Sequence, residues 1–382
     1  MRIAIFSEVY WPMVSGVSLT LQRLTQALLE RGHEARVYSA TYPLPPGASD
    51  RPEAHRSPSG PLWISPEVQW ASPDRLQIRR DLERFSPDLV HLATEFPMGY
   101  AGLRGARDLQ LPIIASAHTD YERYASRYGL DWAVPPGWAY LRWFYRNAEL
   151  VLCPSTRYEQ HLRSRGVSHT AIWTRGVDTA LFTPRHRSTE FRARLGIGPE
   201  DPLVLYVGRL APEKGIDALL EAWEKLQQRS ARARLLFVGG GAMTEAIRRR
   251  RLPGVELIGL LRGFDLSVAY ASADVLAFPS VTETFGNVLL EGMASGLACV
   301  AVEAGGVTDF ARHHQNALLT PPGNHVAFAE ALARLLEDRS LRSNLAEGAR
   351  ATAECRGWGP IFDRLIEDYR RVATAEPDDR AA

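Results

Sequence analysis

Two α/β domains, each built on a doubly wound parallel sheet, are what this 382-residue sequence predicts. Three observations carry that expectation. Short apolar runs bounded by turn residues alternate with amphipathic stretches of helical period along most of the chain. Runs such as DLVHLA, PIIASAH and ELVLCPS are apolar almost throughout, as in parallel strands covered on both faces. The pattern halts after TAIWTRGVDTALFTP and restarts at PLVLYVGRL, and a chain of this length can fill two cores.

The elements follow in order. RIAIFS reads as a strand, EVYWPMVSGVS as a loop and LTLQRLTQALLERG as a helix, with Leu21, Leu24, Leu28 and Leu29 on one face and Gly32 as its stop. EARVYSA completes a βαβ unit. The Pro- and Ser-rich stretch YPLPPGASDRPEAHRSPSGP is expected to be a surface excursion. After the restart, strands PLVLYVGRL, ARLLFVGGG, VELIGLL, DVLAFPS and ACVAVEAGG alternate with helices IDALLEAWEKLQQR, AMTEAIRRRR, DLSVAYASA and NVLLEGMASG. Three helical segments close the chain, ending in WGPIFDRLIEDYRRV, and TAEPDDRAA is expected to be disordered. The domains are placed at 1–184 and 185–357, with 358–382 as a final helix and tail.

Composition narrows the function classes. Forty-five Lys and Arg against forty-four Asp and Glu leave no overall basic field for nucleic acid. The run Arg248–Arg251 is local and sits at a helix end, where cations suit the dipole. Cys153, Cys299 and Cys355 match neither zinc spacing nor a disulfide framework, which points to a reducing compartment. The N-terminal apolar run meets Glu8 too early for a signal peptide, and no stretch of about 18 apolar residues could span a membrane. A cytoplasmic protein is expected. The P-loop pattern is absent, and VGGGAMTEA lacks the full spacing of a dinucleotide loop.

Chemistry belongs at the carboxyl ends of the strands. There the sequence sets Gly16 before a helix, His118 after PIIASA, Arg209 and Lys214 in GRLAPEKG, and Glu283 and Glu291 in ETFGNVLLE. This set suits a diphosphate joined to polyol groups. Arg209 offers a planar fork to phosphate oxygens and Lys214 a point charge. The helix beginning at Phe285-Gly286-Asn287 presents N–H groups without intrahelical partners. Carboxylates can read sugar and ribose hydroxyls. Taken singly, each residue has an ordinary structural use; their placement at successive strand ends is the signal.

ETFGNVLLE, VGRLAPEKG, GVDTALFTP, PDLVHLATEFPMGYAG and EVYWPMVSGVS together resemble the retaining glycosyltransferases of family 4, and these pieces span nearly the whole chain. The resemblance implies the GT-B fold, two Rossmann-like domains facing across a cleft. It implies that Arg209 and Lys214 clamp the diphosphate and that Gly16 lets it approach. It assigns the donor-sugar hydroxyls to Glu283, the backbone cradle to Phe285, Gly286 and Asn287, the ribose to Glu291, and a place beside the transferred sugar to His118. The last helix should cross back to the N-terminal domain. Departures are Ala298 where the family often has Pro, HQNALL without its common Gly, and Ser15-Gly16 in place of a Gly pair.

The expected reaction is hexose transfer from a nucleoside-diphosphate sugar, GDP-mannose or UDP-glucose, to a hydroxyl of a carbohydrate or glycolipid acceptor, and the resemblance implies retention of configuration. No Asp-x-Asp stands at a strand end, so no metal and no cofactor are expected, the cations serving instead. The segment 121–149, dense in Tyr, Trp and Arg, reads either as a packed helical pair or as a surface for the inner membrane face and a glycolipid acceptor. Two rival readings are an epimerase acting on a UDP-sugar and a non-catalytic subunit that binds a nucleotide sugar.

Overall fold

The computed structural model describes residues 1–62, 65–122, 125 and 129–375. Met1–Thr174 with the chain from Gly359 onward form one compact unit, and Arg175–Trp358 the other. Parts of two expectations, the aromatic segment at 123, 124 and 126–128 and the tail at 376–382, lie outside the described residues.

In the first unit, β1 (Arg2–Ser7), β2 (Glu34–Ala40), β3 (Ala54–Ser57), β6 (Leu89–Leu92), β7 (Ile113–Ser116), β8 (Leu150–Cys153) and β9 (Thr170–Ile172) make one sheet. Its order is β3-β2-β1-β6-β7-β8-β9. Every pairing in it is parallel. A separate antiparallel hairpin joins β4 (Ser59–Leu62) to β5 (Ser65–Ala71). The Pro- and Ser-rich stretch is therefore more than an excursion, because it supplies the edge strand β3 and the start of the hairpin. An edge strand needs one neighbour only, so flanking prolines do not preclude it. His55 packs on Tyr38 at 5.2 Å, and Arg56 binds Asp50 at 2.5 Å, which fixes that edge.

In the second unit, β10 (Leu203–Val207), β11 (Arg234–Val238), β12 (Val255–Leu257), β13 (Val275–Phe278), β14 (Ala298–Val302) and β15 (Leu318–Thr320) run in the order β12-β11-β10-β13-β14-β15. These pairings too are all parallel. Successive side chains enter different cores. Val204, Leu235, Phe237 and Val275 join one cluster, while Leu203, Leu205, Leu236 and Leu276 join another. That division explains why these strands read as unbroken apolar runs. The short strands β9 and β15 escape the sequence reading; at three residues each, neither shows a period.

The last helix, Trp358–Thr374, buries Phe362, Leu365, Ile366, Tyr369 and Val372 at helical spacing. Arg31 binds Asp363 at 2.8 Å across it. This helix is part of the first unit from Gly359.

Glu8 follows β1 and is 1% exposed. Its carboxylate accepts from Ala71 N at 3.1 Å and Met98 N at 3.0 Å, tying the hairpin and the helix Pro97–Asp108 to the strand end. Burial pushes this carboxyl up from 4.5 to about 7, against the pull of the two N–H donors. The folded state thus keeps a proton that the unfolded chain releases. Stability from this group must fall as pH rises from about 4.5 to about 7. Relative to Glu8→Gln, wild type is expected to lose up to about 3 kcal/mol between pH 4.5 and 8. Denaturant unfolding of both proteins across that range checks it; a constant difference would refute it.

Candidate active site

The second unit gathers its charged groups where β10 and β13 end. After β10 the loop 208–215 turns over the strand, and the Tyr206 hydroxyl donates to Arg209 O at 3.0 Å. The exposed Arg209 side chain is held by Glu213, Nη2 to Oε1 at 2.6 Å, and the Glu213 side chain is only 3% exposed. Its second carboxylate oxygen, Oε2, is buried without a hydrogen-bond partner. Lys214 reaches across to the next strand's loop and binds Glu283, Nζ to Oε1, at 2.6 Å. Two cations and two carboxylates thus come from sequence positions 209–214 and 283.

Glu283 lies in the loop before the helix Asn287–Ala294, as its spacing from Glu291 suggested. Gly286 opens that helix at φ 107°, which favours glycine, and no side chain caps the start. Phe285 is 3% exposed and packs on Phe310 at 5.1 Å. Its side chain is a core wedge, leaving its backbone for any cradle. Asn287 begins the helix with a buried Oδ1 that has no hydrogen-bond partner. Glu291 stands in the second turn and accepts from Tyr270 at 3.0 Å. Burial, reinforced by Glu291, drives the Tyr270 phenol well above its usual pKa, so it remains a donor.

Four contributors went unnoticed in the sequence. Glu213 lies inside GRLAPEKG, four residues after Arg209, and that i,i+4 spacing was the available hint. Tyr270 gave no local signal. Gly305 and Gly306 brace the Glu283 loop: Gly306 N donates to Glu283 O at 3.0 Å. A Cβ on Gly305 would lie 2.0 Å from that same oxygen. Nothing but glycine fits there.

In the first unit, Gly16 is the first residue of the helix Gly16–Glu30, whose start is capped by Ser15 accepting from Ser18 N. Half-buried His118 follows β7, with Nε2 2.9 Å from Ser116 Oγ and its ring 5.7 Å from Trp173. At the end of β6, Glu95 is buried and takes hydrogen bonds from the hydroxyls of Tyr121 and Tyr145. Burial raises its carboxyl, while those phenols lower it. Beside it a cavity of about 390 Å³ is lined by Trp70, Phe96, Pro97, Tyr100 and Tyr140. The aromatic segment proves mixed: Trp138, Phe144 and Tyr145 are core, whereas Trp132 is 75% exposed and Trp143 39%.

Comparison with known proteins decides the family. The profile described as "Glycosyltransferase Family 4" matches residues 14–181, and that described as "Glycosyl transferases group 1" matches 187–352. A GDP-mannose-dependent alpha-mannosyltransferase of Mycobacterium tuberculosis is 35% identical over 379 residues, 97% of each chain. This chain is a family 4 glycosyltransferase. The enzyme is also 26% identical to the alpha-monoglucosyldiacylglycerol synthase of Streptococcus pneumoniae, over 79% of this chain and 71% of that one. Its fold is that of sucrose-phosphate synthase from Thermosynechococcus elongatus, at TM-score 0.79, 22% identity and coverage of 98% and 100%. The two Rossmann-like sheets are those of GT-B glycosyltransferases, and the enzyme uses a nucleotide sugar. These transferase relatives overturn the epimerase alternative.

The site geometry yields two expected outcomes. Arg209→Ala and Lys214→Ala should each lower kcat/KM about 10²–10³-fold with melting temperature retained, read by nucleotide release. Near-normal turnover in both would remove the clamp. Gly305→Ala should displace the Glu283 loop and depress activity comparably, whereas an unaltered KM and kcat would show that the loop tolerates the shift.

Proposed function

We propose that the enzyme transfers a hexose, mannose from GDP-mannose in the leading case, to a lipid-borne hydroxyl with retention and without a metal ion. UDP-glucose is the second donor. The observation that carries this reading is the crossed pair of salt bridges, Arg209–Glu213 and Lys214–Glu283, beside an uncapped helix start. On donor binding, Lys214 exchanges Glu283 for a phosphate oxygen. Glu283 is then released to accept from sugar hydroxyls, and Arg209, backed by Glu213, takes the other phosphate. Positive charge for the leaving diphosphate comes from these side chains and from the N–H groups at 286–288. Glu291, oriented by Tyr270, reads the ribose, and Gly16 admits the phosphates. His118 hydrogen-bonds the transferred sugar.

In the transfer, the bond from sugar C1 to the β-phosphate oxygen breaks. A bond from C1 to the acceptor oxygen forms on the same face. The acceptor's proton passes to the departing phosphate. Mannose as the sugar is supported by the mycobacterial relative, a GDP-mannose-dependent mannosyltransferase, and a lipid acceptor by the pneumococcal one, a glucosyldiacylglycerol synthase. The aromatic cavity beside Glu95 offers apolar walls for a chain, and exposed Trp132 suits a membrane interface. No described helix is long and apolar enough to cross a membrane, and the bilayer contact proposed here, through exposed aromatic side chains, is peripheral.

Incubation with GDP-mannose or UDP-glucose in EDTA, with and without a lipid extract, tests the proposal. Release of nucleoside diphosphate, increased by the extract, is expected. Dependence on an added divalent ion would overturn the metal-free reading, and full partition into the soluble fraction on liposome flotation would overturn peripheral contact.

A further inference from the structure

A chain of hydrogen bonds runs from the C-terminal helix to His118 entirely within the first unit. Tyr369 OH lies 2.6 Å from His91 Nδ1. His91 Nε2 is 2.9 Å from Ser116 Oγ. Ser116 Oγ is in turn 2.9 Å from His118 Nε2. Tyr369 and His91 are 0% exposed and Ser116 is 1% exposed, so these three links are closed to bulk solvent. The Trp173 ring stands edge-on to both imidazoles, 5.7 Å from each.

Proton positions follow from the buried end. The Tyr369 hydroxyl makes no other hydrogen bond among the described residues, so its proton has one acceptor, His91 Nδ1. Burial keeps that phenol protonated. A neutral imidazole that accepts on one nitrogen donates from the other, so His91 Nε2–H points to Ser116 Oγ. Ser116 has a single hydrogen, and with His91 donating to its oxygen, that hydrogen goes to His118 Nε2. His118 must then carry its own proton on Nδ1. Reversing the chain would leave the Tyr369 proton buried without an acceptor.

We infer that Tyr369, His91 and Ser116 are positioning residues that hold His118 in the Nδ1–H form, as a donor to an oxygen of the transferred sugar. This rests on the reading of His118 as a sugar contact. None of the three touches substrate; they act through one nitrogen. A residue near the C-terminus thereby sets the hydrogen-bond polarity of a histidine on β7's loop.

Long-range proton–nitrogen NMR of histidine-labelled enzyme tests the relay, with His118 identified by its loss in His118→Ala. Wild type is expected to show protonated Nδ1 and bare Nε2 at His118. Tyr369→Phe keeps the ring and removes the proton source, and Ser116→Ala removes the donor to His118. Both should shift His118 toward Nε2–H and lower kcat about tenfold, with donor KM and melting temperature near wild type. Nε2–H in wild-type His118 would overturn the relay whatever the activity. A shifted tautomer with wild-type kcat in both variants would overturn its positioning role. Wild-type kcat in His118→Ala would instead sink the sugar-contact reading and leave the tautomer result standing, so the two failures are distinguishable.

Discussion

In a parallel sheet every strand ends on the same edge, and that constraint organises each half of this enzyme. Because β1, β6 and β7 run together, Glu8, Glu95 and His118 emerge on one edge of the first sheet. Because β10 and β13 are neighbours, Lys214 and Glu283 meet although 69 residues separate them. Crossovers of a dozen or more residues are what such strands require, so the site is assembled from distant loops by necessity. The apolar interior of each sheet then fixes the loops' starting points, with little freedom left to the charged residues themselves.

Charge at that edge has to be matched before a ligand arrives. Arg209 and Lys214 are each paired with a carboxylate, one deeply buried and one half-buried. The two pairs differ in what they permit. Glu213, 3% exposed, is a fixed counter-ion that aims Arg209. Glu283, on a loop gripped by Gly305 and Gly306, is a partner that a phosphate could replace. A preorganised cation that must reorient little is what makes electrostatic stabilisation of a leaving group effective. The same economy recurs in the first unit, where the hydroxyls of Tyr121 and Tyr145 bind Glu95 and Ser116 Oγ lies 2.9 Å from His118 Nε2.

Much of the fold was legible in the sequence. Strands β1, β2, β6, β7, β8, β10, β11, β13 and β14 announced themselves as apolar runs because both faces of each sheet are covered. Of the four edge strands only β12, inside VELIGLL, was legible. β3 hides among prolines, and β9 and β15 are three residues long, so hydrogen bonding to a neighbour rather than local pattern makes them strands. Among the candidate residues, Arg209, Lys214, Glu283 and the Gly286 helix start do come together in the second unit. Phe285 belongs to the core by its side chain, a distinction that a motif cannot make.

By itself the sequence determined the class of the protein: two doubly wound sheets, the family motifs, and which residue types stand at the strand ends. Periodicity and spacing are local properties, and they survive in one dimension. Only the tertiary structure decided the partners: Glu213 for Arg209, Glu283 for Lys214, Tyr270 for Glu291, and the Tyr369–His91–Ser116 chain behind His118. The physical reason is that a hydrogen bond or ion pair depends on separation in space and on burial. Tyr369 and His91 are 278 residues apart in sequence and 2.6 Å apart in the fold.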